Sequence, residues 1–153
     1  MKIKVEIDEN LTEEEIIIHC RELNDETLAL QKKIAEAMNS RLKLTVTKAD
    51  SEYYLDLQEI LFFETAGNGV AVHTVNQIYE THLRLYELEE ILPGNFLRVS
   101  KSTILNTDKI RSVRKNITGA SEVEFGGTGK KAFVSRSYFK ILTDKLEEKR
   151  LKK

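Results

Sequence analysis

The sequence of 153 residues contains one cysteine, one proline and no tryptophan, and only 7% of its residues are aromatic. The single cysteine, Cys20, excludes an internal disulfide, and we expect it to be buried in a helix as a small apolar residue. No apolar run approaches the 18 residues of a membrane helix, and no basic, apolar and small-residue leader follows Met1. We therefore expect a cytoplasmic protein without a membrane span.

Residues that would indicate an enzyme or a cofactor site are also scarce. His19, His73 and His82 are too scattered to form a recognisable metal-binding pattern with Cys20. His73 alternates with apolar neighbours and is expected to be a strand residue. The chain has no nucleophile paired with a base and no pair of acids at a usable spacing. We expect no catalytic residue, no metal ligand and no cofactor, and therefore no enzyme.

Charge is divided unevenly along the chain, although the net charge is only -1. Residues 1–40 contain five basic and ten acidic residues, whereas residues 41–153 contain nineteen basic and fifteen acidic residues. Between Arg98 and Arg136 there are nine basic and three acidic residues. Such an imbalance indicates a polyanionic partner for the basic part, and a merely solvated basic face is the open alternative.

Residues 1–40 are expected to be a small acidic N-terminal segment with one strand and two helices. Polar and apolar residues alternate without a break from Lys2 to Asp8, which predicts a half-buried strand. A capping box that begins at Thr12 predicts a first helix. A second helix is expected from Asp25 to about Asn39.

Residues 41–153 are expected to form a second, mainly β domain, because the period of the apolar residues changes to two after Ser40. A meander of antiparallel strands is expected at Leu42–Val46, Tyr53–Leu57, Ile60–Glu64, Val70–Val75 and Gln77–Arg84. A short helix is expected at Leu85–Leu92, before Pro93 and Gly94. Another strand is expected near Lys109–Arg114, and Ser137 is expected to cap a last amphipathic helix.

The stretch EFGGTGKKAFVSR, from Glu124 to Arg136, contains three glycines and two lysines and has two interpretations. A phosphate-binding loop of the form G-x-x-x-x-G-K-[ST] would need glycine in place of Glu124 and Ser or Thr in place of Lys131. Such a loop also leads into a helix, whereas β-branched and aromatic residues follow here. We therefore predict a β-hairpin with its turn at Gly126–Gly129.

Several motifs follow one another in a distinctive order. Ile60–Glu64 precedes Gly67-Asn68-Gly69, then Leu88–Pro93 precedes Phe96–Asn106, which is the most specific of these segments. Over about Leu42–Leu146 this order resembles the LytTR family of bacterial DNA-binding domains. The resemblance implies a fold of antiparallel β-sheets with short helices, which reads successive major grooves of double-stranded DNA with loop residues. It also implies a compact stand-alone transcriptional regulator without a receiver domain.

The resemblance implies which residues contact DNA. The positions that resemble base-contacting positions are Asn68, Gly69, Lys101 and Arg136. Arg136 and Lys101 carry donors that suit guanine O6 and N7. The residues expected to support the DNA-contacting loops or to contact phosphate are Arg98, Ser100, Ser102, Arg114, Lys115, Lys130 and Lys131. Asn106, in contrast, is expected to cap local backbone.

Two classes of function are left open by the sequence. The first is a sequence-specific transcriptional regulator that binds double-stranded promoter DNA, and the alternative is a basic-faced β module for protein interaction or ligand sensing. The unpaired strand and apolar helix faces of residues 1–40 predict self-association, as a homodimer, or partner binding. By analogy with stand-alone relatives, that partner would be a small membrane protein that restrains the regulator.

Overall fold

Strands dominate the computed structural model of this protein, which describes residues 1–39 and 42–150. The helices are α1 (Asp25–Asn39), α2 (Leu85–Ile91) and α3 (Arg136–Glu148). The strands are β1 (Lys43–Lys48), β2 (Ser51–Asp56), β3 (Ile60–Ala66), β4 (Gly69–Thr74), β5 (Ile78–Thr81), β6 (Phe96–Ser100), β7 (Thr103–Asn106), β8 (Ile110–Arg114), β9 (Ser121–Phe125) and β10 (Lys131–Val134). The expected mainly β fold with antiparallel sheets is confirmed.

The N-terminal part differs from the expectation in two of its three elements. The predicted strand at residues 2–8 and the predicted helix after Thr12 are absent, and only the second helix is present, as α1. A strand needs a neighbour for its backbone hydrogen bonds, and the described residues supply none for residues 2–8. The β-branched run Ile16-Ile17-Ile18 disfavours a helix. Cys20 is exposed, contrary to the prediction that it is buried.

The chain divides into two structural units, Met1–Ala37 and Met38–Lys153. The side chain of Asn24 accepts a hydrogen bond from the backbone N–H of Thr27 at 2.9 Å, so it caps the start of α1. The division of function between residues 1–40 and 41–153 stays a prediction. None of the helices described here has the length and apolar character needed to cross a membrane.

Seven strands form one antiparallel sheet in the order β2-β1-β5-β4-β3-β7-β6. Strands β3, β4 and β5 follow one another as the predicted meander requires, but β2 lies at the edge of the sheet and not beside β3. A 3-10 turn at Leu57–Glu59 separates β2 from β3, and β1 pairs with β5 where Thr47 lies opposite Glu80. Strand β3 lies inside the sheet, between β4 and β7.

Strands β8, β9 and β10 form a second antiparallel sheet. The predicted hairpin is confirmed, because β9 and β10 pair with Glu124 opposite Lys131 and with Ser121 opposite Val134. Gly127 has a φ of 75°, which only glycine adopts easily, and a strand follows the turn. The glycine-rich stretch is a hairpin turn and not a phosphate-binding loop.

Buried apolar side chains form two clusters on the two faces of β3. Ile60 and Phe63 belong to a cluster with residues of the large sheet and α2. Leu61 and Phe62 belong to a cluster with the three-stranded sheet and Leu142 of α3. A β-bulge between Ile60 and Phe62 accounts for two adjacent residues on one face. The second cluster holds both sheets and α3 in one core.

The two C-terminal helices are close to their predicted positions. Helix α2 begins at Leu85, as predicted, and ends at Ile91, one residue before the predicted end at Leu92. Helix α3 begins at Arg136 with Ser135 as its N-cap residue, so the predicted start after Ser137 is wrong by two residues. The backbone N–H of Ser135 donates to Val99 O at 2.9 Å. This contact with β6 sets where the helix starts.

Candidate nucleic-acid interface

Two β-turns lie side by side at one end of the seven-stranded sheet. Asn68 occupies the turn between β3 and β4, and Lys101 and Ser102 occupy the turn between β6 and β7. Strands β3 and β7 pair with Glu64 opposite Thr103, and the N–H of Thr65 donates to Ser102 O at 2.9 Å. Long-range pairing therefore brings together two turns that are more than thirty residues apart in the sequence.

Arg136 joins this end of the sheet through α3. The hydrogen bond from Ser135 N–H to Val99 O fixes the residue before Arg136 next to β6, two residues before Lys101. Arg136 is exposed, as are Asn68 and Lys101. Within residues 1–39 and 42–150, no protein partner is found for the side-chain polar groups of these three residues. The two turns and the start of α3 are thus neighbours, and the polar side chains of Asn68, Lys101 and Arg136 are exposed to solvent.

Glycine plays different parts at Gly67 and Gly69. Gly67 has a φ of 59°, so it provides the left-handed residue of the β3–β4 turn. Gly69, the predicted contact position, begins β4 opposite Ala66 and needs no unusual backbone angle. A Cβ added at Gly69 would lie 3.8 Å from Thr81 O, which is ordinary contact. The absence of a side chain at Gly69 leaves the backbone next to Asn68 open to close approach.

Arg98 holds the turn that carries Lys101. Its Nε donates to Ser100 O at 2.6 Å and its Nη2 donates to Lys101 O at 2.6 Å. Its Nη1 donates to Glu89 Oε1 of α2 at 2.7 Å. One guanidinium therefore ties two carbonyls of the turn to a helix. The predicted supporting role of Arg98 corresponds in this geometry to contacts with the protein.

Ser100 and Ser102 shape the same turn through their own hydrogen bonds. The N–H of Ser102 donates to Ser100 Oγ at 3.1 Å, and the two hydroxyl oxygens are 3.3 Å apart. Both residues keep part of their surface open to solvent. Their hydroxyl groups therefore stabilise the turn and are also partly accessible to a partner.

Arg114 and Lys115 lie at the end of the small sheet from which Arg136 emerges. Arg114 is opposite Glu122 on β9, and the adjacent Ser121 is opposite Val134, two residues before Arg136. Lys115 Nζ lies 5.5 Å from the ring centroid of Phe139 in α3. Both cations are exposed and stand beside the cluster of turns.

Lys130 and Lys131 lie at the opposite end of the small sheet. Lys131 Nζ forms an ion pair with Glu122 at 2.9 Å, and this carboxylate raises the pKa of Lys131. Lys130 Nζ is 3.3 Å from Gln77 O, in the turn after β4. Because β4 runs from the Asn68 turn towards Gln77, the ammonium group of Lys130 lies away from that turn. The ammonium group of Lys131 instead reaches Glu122, which lies opposite Arg114. The structure does not bring them together with Lys101 and Arg136.

A buried cluster around His73 was not foreseen from the sequence. His73 Nε2 is 3.1 Å from Glu64 Oε1, and Lys130 Nζ is 3.4 Å from His73 Nδ1. The imidazole stacks on Phe62 at 4.1 Å, and Phe62 stacks on Phe125 at 5.3 Å. Burial, with the charge of Lys130, lowers the pKa of His73, and Glu64 partly opposes this shift. Burial also lowers the pKa of Lys130.

Asn106 has the capping role expected from the sequence. Its Oδ1 accepts from Asp108 N–H at 3.0 Å and from Asn95 Nδ2 at 3.0 Å, and its Nδ2 donates to Ile60 O at 3.0 Å. Asn106 is 1% exposed, so its side chain holds neighbouring groups together inside the core and is not accessible to DNA. In the described ranges, no group of three or more His, Cys, Asp or Glu residues is arranged to hold a metal ion.

Known proteins resemble this chain in sequence and in fold. The family profile of the LytTr DNA-binding domain matches residues 50–147. An HTH-type transcriptional regulator of Staphylococcus aureus strain NCTC 8325, described as uncharacterized, is 29% identical over 147 residues, covering 95% of this chain and 98% of that protein. A regulator of the same description from strain MRSA252 is 34% identical over 107 residues, covering 69% of this chain and 71% of that protein.

A solved structure shares the fold. It is a LytTr DNA-binding domain from Bacillus cereus, with a TM-score of 0.63 and 20% sequence identity. The similarity covers 68% of this chain and 95% of that one. At this identity the comparison establishes the arrangement of sheets and helices, and the contact residues have to be argued from the geometry above.

Proposed function

Since the chain belongs to the family of LytTr DNA-binding domains, we propose that it is a transcriptional regulator that reads a specific sequence in double-stranded DNA with loop residues. The observation that carries this proposal is the convergence, at one end of the large sheet, of the Asn68 turn, the Lys101 turn and the start of α3 at Arg136. Their free polar groups meet a requirement of base recognition, which needs donors that the protein itself does not occupy.

Each residue of the proposed interface has a role that follows from its chemistry. Arg136 suits bidentate donation to guanine O6 and N7, and Lys101 suits the same acceptors as a single charged group. Asn68 offers both a donor and an acceptor at the tip of its turn. The hydroxyls of Ser100 and Ser102 line the turn between them. Gly69 allows the backbone to approach the DNA without a side chain.

Arg114 and Lys115 are proposed to contact the phosphate backbone beside the turns. Phosphates look alike at every base step, so such contacts add affinity and position the protein without selecting a sequence. We leave Lys130 and Lys131 outside the proposed interface, because the ammonium groups of both have protein partners, His73 for Lys130 and Glu122 for Lys131. Their earlier expected role as phosphate ligands is the least supported part of the site.

Two turns and the first residue of α3, and not a helix-turn-helix recognition helix, make the proposed contacts. In the described part of the chain, α1 and α2 are separated by five strands, and α2 and α3 by five more. No two of these helices are consecutive, as a helix-turn-helix unit requires. We propose that the clustered turns enter successive major grooves, in keeping with the family resemblance.

Residues 1–40 are proposed to be an association segment, separate from a DNA-binding part at residues 41–153. The segment carries exposed apolar residues and an excess of acidic ones, which disfavour contact with DNA. Its partner would be a second copy of the chain or, by analogy alone, a small membrane protein that restrains the regulator. Action on promoter DNA would take place in the cytoplasm.

The proposal is tested by selecting duplexes bound by the full chain from a pool of random sequence at about 0.15 M salt. The affinity for the enriched site is then compared with the affinity for a shuffled duplex of the same composition. We expect binding to the enriched site to be about a thousandfold tighter or more. Equal affinity for the two duplexes would reject sequence-specific reading, and no binding to either would favour the protein-interaction alternative.

A further inference from the structure

Residues 2–8 of the chain, Lys-Ile-Lys-Val-Glu-Ile-Asp, have an apolar side that nothing in the described residues covers. Ile3, Val5 and Ile7 are 95%, 84% and 90% exposed. Lys4 Nζ lies 2.5 Å from Glu6 Oε1, so two alternate polar residues already stand on one side of the segment. A strand-like alternation with β-branched residues on one side is typical of a segment that pairs with another strand.

The charges of this segment are arranged symmetrically about Val5. In an antiparallel pair of two copies centred on Val5, Lys2 lies opposite Asp8 and Lys4 lies opposite Glu6, each twice. On the other face, Ile3 lies opposite Ile7 and the two Val5 residues face each other. Every cross-strand pair is then either oppositely charged or apolar, and both kinds stabilise a sheet.

Other registers of the same segment are less favourable. A slip of two residues places either the two Lys4 or the two Glu6 side chains opposite each other, and like charges in this position are destabilising. A slip of one residue places apolar residues opposite charged ones. Parallel in-register pairing places Lys2 opposite Lys2 and Asp8 opposite Asp8. Complete charge and apolar complementarity exists only in the antiparallel register centred on Val5.

We propose that two copies of this chain associate by antiparallel pairing of residues 2–8 in that register. A ribbon of two strands is marginal in water, so its apolar face has to be covered. The same N-terminal unit supplies exposed apolar side chains for this purpose, at Leu11, Ile16, Ile17, Leu23 and Leu28. The inference concerns residues 1–40 alone and is independent of whether the chain binds DNA.

Charge reversal in the full chain tests whether the charged residues of the two strands pair with each other. The double variant Lys2→Glu with Lys4→Glu makes the strand all acidic, and Glu6→Lys with Asp8→Lys makes it all basic. We expect each variant alone to dimerise about tenfold more weakly or worse, as measured by sedimentation equilibrium. An equimolar mixture of the two should form a heterodimer, and the fourfold variant that exchanges all the charges should dimerise like the unmodified chain.

Disulfide cross-linking tests whether the two Val5 residues lie opposite each other in the paired strands. In a Cys20→Ser background, Val5→Cys brings two thiols to opposed positions with Cα atoms about 4.5 to 5.5 Å apart, within disulfide range. Ile3→Cys is the matched control, because its two copies are displaced by four residues, about 13 Å along the strands. We expect rapid cross-linking for Val5→Cys, little for Ile3→Cys, and cross-linking again when Ile3→Cys is mixed with Ile7→Cys.

Three results would overturn the proposal. The first is that the unmodified chain is monomeric at about 100 μM, a concentration at which a dimer with a micromolar dissociation constant would be nearly fully formed. The charge-reversed variants dimerise as well as the unmodified chain, which would place the contact elsewhere. Ile3→Cys cross-links with itself as fast as Val5→Cys, which would exclude this register. Dimerisation is read without DNA, so these outcomes are separate from those of the DNA-binding test.

Discussion

The cationic side chains of the candidate interface differ in what their charged groups contact. The guanidinium of Arg98 has three protein acceptors, whereas Arg136 and Lys101 find none among the described residues. All three are basic residues near the same turn, so charge counting does not separate them. Hydrogen-bond geometry does, because it shows that Arg98 holds the turn, whereas the charged groups of the other two are exposed to solvent.

Replacing Arg136 or Lys101 with alanine is expected to reduce the discrimination between DNA sequences about tenfold or more. Loss of a base contact costs about 1–3 kcal/mol on the preferred site and much less on random DNA. Fluorescence anisotropy titrations with the selected and shuffled duplexes measure both affinities. If Arg136→Ala lowers the two affinities by the same factor, Arg136 does not read bases.

Arg114→Ala and Lys115→Ala are the matched controls for contacts without sequence information. Each should weaken binding to all duplexes alike and reduce the slope of log affinity against log salt by about one unit. Lys130→Ala, which removes an ammonium group that contacts His73 and Gln77 O away from the turns, should change neither quantity. An effect of Lys130→Ala as large as that of Lys115→Ala would return the hairpin end to the interface.

Arg98→Ala is expected to weaken DNA binding by loosening the turn that carries Lys101. The loss of the guanidinium contacts should also lower the free energy of unfolding by about 1–3 kcal/mol. Arg98→Lys retains the charge beside Glu89 but cannot donate to both carbonyls, so it should not restore binding. Hydrogen exchange at the Thr65 N–H reports the turn directly, and unchanged exchange in Arg98→Ala would contradict the positioning role.

Elements with local signals were predictable, and elements that depend on distant partners were not. The β9–β10 hairpin follows from glycines that allow a tight turn between two β-rich runs, and α1 follows from its helical period. Residues 2–8 have the same alternation as a true strand, but a strand also needs a neighbour. The edge position of β2 depends on the pairing of β1 with β5, which no local pattern encodes.

The contact between Lys130 and His73 links the β9–β10 turn to the large sheet. His73 lies on β4 and Lys130 follows the glycines of the hairpin, so burial of both groups depends on the packing of the two sheets. Removal of this cation is expected to raise the pKa of His73. NMR titration of Lys130→Gln should show the increase, with Lys131→Gln as the control, and an unchanged His73 pKa in Lys130→Gln would contradict the contact.

The same shift predicts how stability depends on pH. The folded-state pKa of His73 is lowered, so its unfolded form, with an ordinary pKa of about 6.5, binds the proton more readily. Stability from the neutral imidazole is complete above about pH 6.5 and is lost as pH falls towards the lowered pKa. Lys130→Gln is expected to bring the folded-state pKa of His73 closer to its unfolded-state pKa, so stability is lost over a narrower pH range. Denaturant titrations in mild acid should therefore show a smaller loss of stability for Lys130→Gln than for Lys131→Gln.

At the scale of the whole molecule, basic residues are divided between two ends of the domain. The sequence indicated a basic region from Arg98 to Arg136 and, through the family resemblance, the three turns. It did not indicate that Lys130 and Lys131 lie away from Lys101, because their neighbours are determined by the pairing of β9 with β10 and by the packing of the two sheets. The proposed DNA contacts therefore lie at one end of the domain only.

Mapping of backbone amide shifts by NMR during titration with the selected duplex tests that claim most directly. We expect the amide chemical shifts to change at Asn68–Gly69, Ser100–Ser102 and Ser135–Arg136, with smaller changes near Lys115. The amide chemical shifts of the Gly126–Lys130 turn should stay unchanged. Perturbation of the Gly126–Lys130 turn with no change at the three clustered turns would contradict the account.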